Sequence, residues 1–195
     1  MKLRLLKRRQ AKEIYDRYLV RDFPDSERKP FASMAALLRK GMYEPLAVED
    51  DGGSLAGYAF LMAQPGSPSA LLDYFAVLPA MRGQGLGTKA LQALAGYLAP
   101  SRRSLLIECE HPAEAPDAAV ARQRVAFYLR AGARATAMES RLFGVRYLIL
   151  VLPCAGPAPD AEACADLQAL YRATVPEPYY RGQVIFYGGT GKLGT

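Results

Sequence analysis

The stretch from Asp73 to Leu98 constrains the chain most, because an apolar run, a glycine-rich turn and an amphipathic helix follow one another without a spacer. Ala70 to Leu78 is nearly continuous in apolar residues and is stopped by Pro79, which predicts a strand buried on both faces. From Gly85 to about Leu98 the residues Leu86, Ala90, Leu91, Leu94 and Leu98 recur at helical spacing and predict one buried stripe. Between strand and helix stands Arg82-Gly83-Gln84-Gly85-Leu86-Gly87-Thr88. Successive backbone N–H groups of such a turn point into one concavity at the positive end of the helix. Glycines belong there because a Cβ would keep a ligand off the backbone. With Arg82 adding a cation, the group that fits is a phosphate or pyrophosphate.

Two familiar phosphate loops do not match. A dinucleotide fingerprint belongs at the start of a series of strand–helix–strand units and is followed about 20 residues later by an acidic residue. Glu108 and Glu110 lie near that distance, yet the chain before the turn reads as helices and a hairpin, and no second unit follows. A P-loop needs Lys and then Ser or Thr after its last glycine, where Leu86-Gly87 stands. The late Gly188-Gly189-Thr190-Gly191-Lys192-Leu193 misses that pattern too and is expected to be a mobile end.

The flanking elements set the fold class. Lys2 to Leu6 reads as a short strand, Ala11 to Val20 as a helix, and Phe31 to Leu38 as a second helix ended by Gly41. Pro45–Glu49 and Ser54–Ala63 are strands joined by Asp50-Asp51-Gly52-Gly53, a strong hairpin signal. Leu105–Glu110 is the strand after the glycine-turn helix, and the pair should form a right-handed parallel crossover. A helix from Ala118 to Ala131 ends at Gly132, and Val145–Leu152 is a strong strand. Hairpins and a crossover together predict an α/β (α+β) fold with a mixed, mostly antiparallel central sheet and one parallel β-α-β crossover.

Composition narrows the setting. Three cysteines, Cys109, Cys154 and Cys164, are odd in number and without CxxC spacing, so neither a disulfide framework nor a metal site is expected, and the default compartment is cytoplasmic. No apolar run reaches the length of about 18 residues that a membrane helix needs, so no membrane association is expected. The net charge of +6 is concentrated in residues 1–40, which hold twelve Lys or Arg against five Asp or Glu. Without an aromatic-interleaved basic stripe or a helix-turn-helix pattern, nucleic acid is disfavoured and the charges read as solvated helix faces.

Phe75-Ala76-Val77 followed by Arg82-Gly83-Gln84-Gly85-Leu86-Gly87 resembles the Q/R-x-x-G-x-G/A coenzyme A motif of the GNAT acetyltransferases. Gly57-Tyr58-Ala59-Phe60 is similar to that family's third strand and Leu106-Ile107-Glu108 to its fifth. Phe127-Tyr128-Leu129-Arg130-Ala131-Gly132 resembles the "YxxxGF" end of its fourth helix. In order, the resemblance covers roughly residues 1–152. It implies an acyl-CoA-dependent N-acetyltransferase that moves an acetyl group from acetyl-CoA to an amine, with no metal. The fourth and fifth strands would splay, pantetheine would hydrogen-bond to backbone at Phe75, Ala76 and Val77, and the pyrophosphate would rest on the amides from Gly83 to Thr88.

The resemblance also implies catalytic roles. Acyl transfer to an amine needs a base for the nucleophile, stabilisation of an oxyanion and a proton for the departing thiolate. Tyr128 stands where the family's general acid stands, and a phenol with a reference pKa of about 10 suits a thiolate of similar basicity. Glu108 matches the glutamate that some members use as base, with Glu110 and Asp73 as alternatives. His111, the only histidine, is expected in an exposed loop before Pro112. Departures lie on the acceptor side: Ala121 stands where the family often has Asn, and Ala133 where an aromatic usually follows the glycine. A non-catalytic CoA-binding domain is the alternative function.

Residues 153–195 fall outside the resemblance. Pro153–Pro159 is expected as a linker, Ala161–Ala173 as a helix with Leu167, Leu170 and Tyr171 on one side, and Gln183–Tyr187 as a strand. A segment this apolar should pack on the core or on a second copy of the chain in a homodimer.

Overall fold

The computed structural model describes residues 1–188. The glycine-rich end, expected to be mobile, lies outside the described residues from position 189 on. The chain forms two compact units, Met1–Pro65 with Leu72–Leu94, and Gly66–Leu71 with the chain from Ala95 on.

The first unit opens with β1 (Lys2–Leu5) and a helical passage made of α1 (Arg8–Ile14), a π-helical turn (Tyr15–Leu19) and α2 (Val20–Asp22). A 3₁₀ turn (Asp25–Glu27) leads to α3 (Phe31–Arg39). Gly41 follows at φ +66°, the left-handed conformation that ends helices. β2 (Tyr43–Glu49) and β3 (Leu55–Met62) pair antiparallel, from Tyr43↔Met62 to Glu49↔Leu55, with a bulge at Val48/Glu49. Asp50 organises their turn: its carbonyl accepts from Gly53 N–H, and its Oδ1 accepts from Ser54 N–H at 2.8 Å. β1 pairs antiparallel with β2 on the other side.

β4 (Ser69–Val77) contributes Leu72–Val77 to the first unit and Ser69–Leu71 to the second. It is buried from Ser69 to Leu72, but Phe75, Ala76 and Val77 are only half-buried. The expectation of a strand buried on both faces to its end is thus corrected: the last three residues are partly exposed. A 3₁₀ turn (Pro79–Met81) and the glycine segment lead to α4 (Leu86–Leu98). Ala90, Leu91, Leu94 and Leu98 are each buried to within 1%.

In the second unit β5 (Ser104–Glu110) runs parallel to the start of β4 through Ser69↔Ser104, Ala70↔Leu105 and Leu71↔Leu106. Phe75 to Val77 lie beyond these three registered pairs. α5 (Ala118–Arg130) is capped by Asp117, whose Oδ1 accepts from Ala119 and Val120 N–H. β6 (Arg134–Leu142) and β7 (Val145–Pro153) form a hairpin about Phe143-Gly144, both at positive φ as a two-residue turn requires. The unit continues with α6 (Asp160–Thr174), α7 (Glu177–Gln183) and β8 (Val184–Tyr187), which pairs antiparallel with β6 from Leu142↔Val184 to Glu139↔Tyr187. The strand order is β1-β2-β3-β4-β5-β7-β6-β8, mostly antiparallel with the β4–β5 pair parallel. β6 and α7 have no counterpart in the sequence expectations. The expected linker is tied down, since Cys154 and Ala155 N–H both donate to the Arg103 carbonyl.

Candidate active site

In the first unit the glycine turn takes the conformation its composition calls for. Gly83 and Gly85 have φ of +79° and +71°, where an L side chain would be strained, and a Cβ on either would meet no protein atom within 4 Å. The outer side of the turn is therefore open to a ligand. Lys89 N–H donates to the Gly85 carbonyl at 3.2 Å, so α4 begins at the turn itself. The first N–H groups of a helix have no partner within it, and those of Leu86, Gly87 and Thr88 occupy that place. A chain of donors at a dipole's positive end, bordered by open space, suits a diphosphate.

Arg82 is half exposed and anchored. Its Nε donates to the Val77 carbonyl at 3.0 Å, and its Nη2 lies 3.8 Å from Asp22, whose Oδ2 accepts from Tyr58 at 2.8 Å. The end of β4 and the glycine turn are thus joined through one guanidinium, and Gln84 stands between the two left-handed glycines. Burial and the Asp22 contact push the Tyr58 phenol far above its ordinary range, so that bond keeps its donor. Gly57 faces β4 so closely that a Cβ there would lie 2.4 Å from the Ala76 carbonyl oxygen. Asp73, an alternative base, is buried and committed: Lys29 Nζ and the Tyr43 hydroxyl donate to its two oxygens.

In the second unit Glu108 and Cys109 are successive strand residues and project to opposite faces of β5. Glu108 Oε2 accepts from the hydroxyl of Tyr171 on α6 at 2.6 Å. Tyr128 of α5 is 8% exposed and lies within electrostatic reach of Cys109. Burial, then Cys109, raises the Tyr128 phenol well above its ordinary value, against the pull of Arg124. The Cys109 thiol is raised to about 12, mainly by burial. Glu108 stands in β5, and Tyr128 on α5 lies near Cys109, the next residue of that strand. Acyl transfer needs no hydrogen bond between acid and base, because the amine proton and the thiolate proton are different protons. Glu110 stands 3.6 Å from Arg124. His111, expected in an exposed loop, is half-buried at the end of β5, its Nδ1 accepting from Ala113 N–H and its Nε2 3.8 Å from Glu139. Tyr171 is the residue the sequence expectations missed, for it was visible only as one member of an apolar stripe.

The sequence profile described as the acetyltransferase (GNAT) family matches residues 8–131. An uncharacterized protein of Dictyostelium discoideum is 35% identical over 74 residues, which is 38% of this chain and 17% of that protein's length. Among solved structures, a Bacteroides thetaiotaomicron protein assigned to the GNAT family aligns with a TM-score of 0.68 at 20% identity, over 92% of this chain and 98% of its own. The ribosomal-protein-S18-alanine N-acetyltransferase of Escherichia coli aligns at 0.57 and 20% identity, covering 82% and 97%. A spermidine N-acetyltransferase of Vibrio cholerae, solved with CoA and spermine, aligns at 0.57 and 15% identity, covering 78% and 95%. The structures agree in fold, the matched profile spans more than half of the sequence, and the chain belongs to the GNAT acetyltransferase family.

Proposed function

We propose that the protein transfers an acetyl group from acetyl-CoA to a primary amine of a small molecule or peptide. The observation that carries this reading is the glycine turn, with Gly83 and Gly85 left-handed, open on the outer side and leading straight into α4. Pyrophosphate would rest on the amides from Gly83 to Thr88, beside the anchored Arg82. Pantetheine would extend along the half-buried end of β4 at Phe75, Ala76 and Val77, where one amide would polarise the thioester carbonyl.

The reaction then runs by direct attack. Glu108 takes up the proton of the amine, directly or through water, and the amine nitrogen bonds to the thioester carbon. The tetrahedral oxyanion collapses with cleavage of the carbon–sulfur bond, and Tyr128 gives its proton to the leaving thiolate. The products are an N-acetyl amine and free CoA thiol. A phenol raised by burial stays protonated through the neutral range, the state a general acid needs. Tyr128→Phe keeps the ring and deletes that proton, so kcat should fall roughly 10²-fold with little change in coenzyme affinity. A wild-type rate would return Tyr128 to packing.

A CoA-binding domain without turnover would share the same turn, and the burial of Tyr128 is the observation that favours it. One assay separates the two. The protein is mixed with acetyl-CoA and a panel of polyamines, amino acids, aminoglycosides and peptide N-termini while free thiol is followed. Thiol release with an amine supports the enzyme. Tight acetyl-CoA binding without thiol from any amine supports the non-catalytic reading, and absence of binding removes both.

A further inference from the structure

We infer that Tyr171, in the C-terminal helix α6, is a positioning residue for the acetyl transfer, fixing the carboxylate of Glu108; this rests on Glu108 being the base. The contact joins residues 63 apart in sequence at 2.6 Å, with the buried phenol donating to Oε2. Tyr171 is 6% exposed and is held from two directions. Along α6, Leu167 and Leu170 are buried, and Asp166 accepts from Ser69 Oγ, which lies 2.8 Å from Ser104 Oγ. Ser69 and Ser104 are partners in the parallel ladder, so α6 is fastened to β5 four residues before Glu108. On the far side the Tyr171 ring packs against Phe186 with centroids 6.1 Å apart, and Phe186 pairs with Ser140 of β6.

A glutamate side chain has three torsions to fix, and a donor carried on a packed ring restricts them. The groups nearest Glu108 along the sheet can be named. Cys109 follows it in β5 but projects to the other face, Glu110 is engaged with Arg124, and the β7 residue opposite Glu108 is the uncharged Ile149. The segment beyond Pro153 is therefore part of the catalytic apparatus, although no part of it falls within the family match of residues 8–131.

The test uses the full chain. Tyr171→Phe preserves the ring against Phe186 and removes only the donor. The expected result is a fall of about tenfold in kcat with an unchanged KM for acetyl-CoA. The acidic limb of the kcat profile should move to higher pH, since a carboxylate that loses a donor holds its proton more tightly. On a Glu108→Gln background the same change should have no further effect on kcat. A kcat loss that keeps the wild-type pH profile, or that persists at full size on the Glu108→Gln background, is a general structural effect and overturns the inference. Wild-type kinetics in Tyr171→Phe overturn it as well. If Glu108→Gln itself turns over at the wild-type rate, the base assignment fails, a result distinct from either. If Tyr171→Phe melts too low for kinetics, Phe186→Leu keeps the hydroxyl while loosening its ring. The expectation there is a smaller kcat loss with the same limb shift, and an unmoved limb overturns the inference.

Discussion

Gly85 shows how one residue ties conformation to chemistry. At φ +71° it occupies backbone space that costs an L side chain roughly 1–2 kcal/mol, and it does so at the start of α4, where donors face outward. Gly85→Val would both strain the turn and fill the open side with a branched side chain. The acetyl-CoA dissociation constant should rise at least about tenfold, equivalent to about 1.4 kcal/mol. Calorimetry of the folded variant checks this, and unchanged affinity would remove the main support for a diphosphate on these amides. Arg82 is a second case in which position is set by neighbours: the Val77 carbonyl and Asp22 hold it where the turn begins. The motif was legible in the sequence because its logic is local. The anchor was not, since Asp22 lies at the end of α2, sixty residues earlier.

Among the elements, β3 and β4 show how a strand can be placed by what its neighbour lacks. Gly57 lets β3 approach to where a Cβ would stand 2.4 Å from the Ala76 carbonyl, and Leu78 N–H donates to the Ala56 carbonyl at 2.9 Å. Gly57→Ala must push Ala76 away, at an overpacking cost of about 1–3 kcal/mol. Because Ala76 is in the segment proposed to bind pantetheine, acetyl-CoA affinity should fall together with the melting temperature. A variant that loses stability and keeps its affinity would show that this part of β4 does not carry the coenzyme. The elements that were legible have strong local signals: the Asp-Gly hairpin, the apolar run of β4, and the helix ends at Gly41 and Gly132. β6 was not legible. Its inward positions are Met138, Ser140 and Leu142, so a serine interrupts the apolar alternation, and a shift between Ala135 and Glu139 breaks the period again. The C-terminal helix was visible as an apolar stripe, but its hydroxyl contact to Glu108 is a tertiary fact that no spacing encodes.

Across the whole molecule, buried proton-holding groups give the fold an uneven response to pH. The Tyr74 phenol is raised from 10.0 to about 12, by burial first and then by Asp73, and its hydroxyl donates to the Glu27 carbonyl. Burial lifts the Cys109 thiol from 9.0 to about 12 and that of Cys154 from 9.0 to about 11. In each case the unfolded chain releases its proton at lower pH than the folded one. Below pH about 9 both states are protonated at these groups, and the stabilisation is fully present. Between pH about 9 and 12 the unfolded chain binds fewer protons, so stability falls as pH rises. Both compact units contain such a group, Tyr74 in one and the two cysteines in the other. The expected outcome is a nearly level melting temperature from pH about 6 to 8 and a steep decline above about 9. Cys109→Ala removes one contributor and should soften that decline, while Cys164→Ala, at a thiol raised with less burial, should leave it closer to wild type. Denaturant unfolding at half-unit pH steps measures the slope directly. A melting temperature that stays level to pH about 11 would show that these groups exchange their protons as freely in the fold as in the open chain.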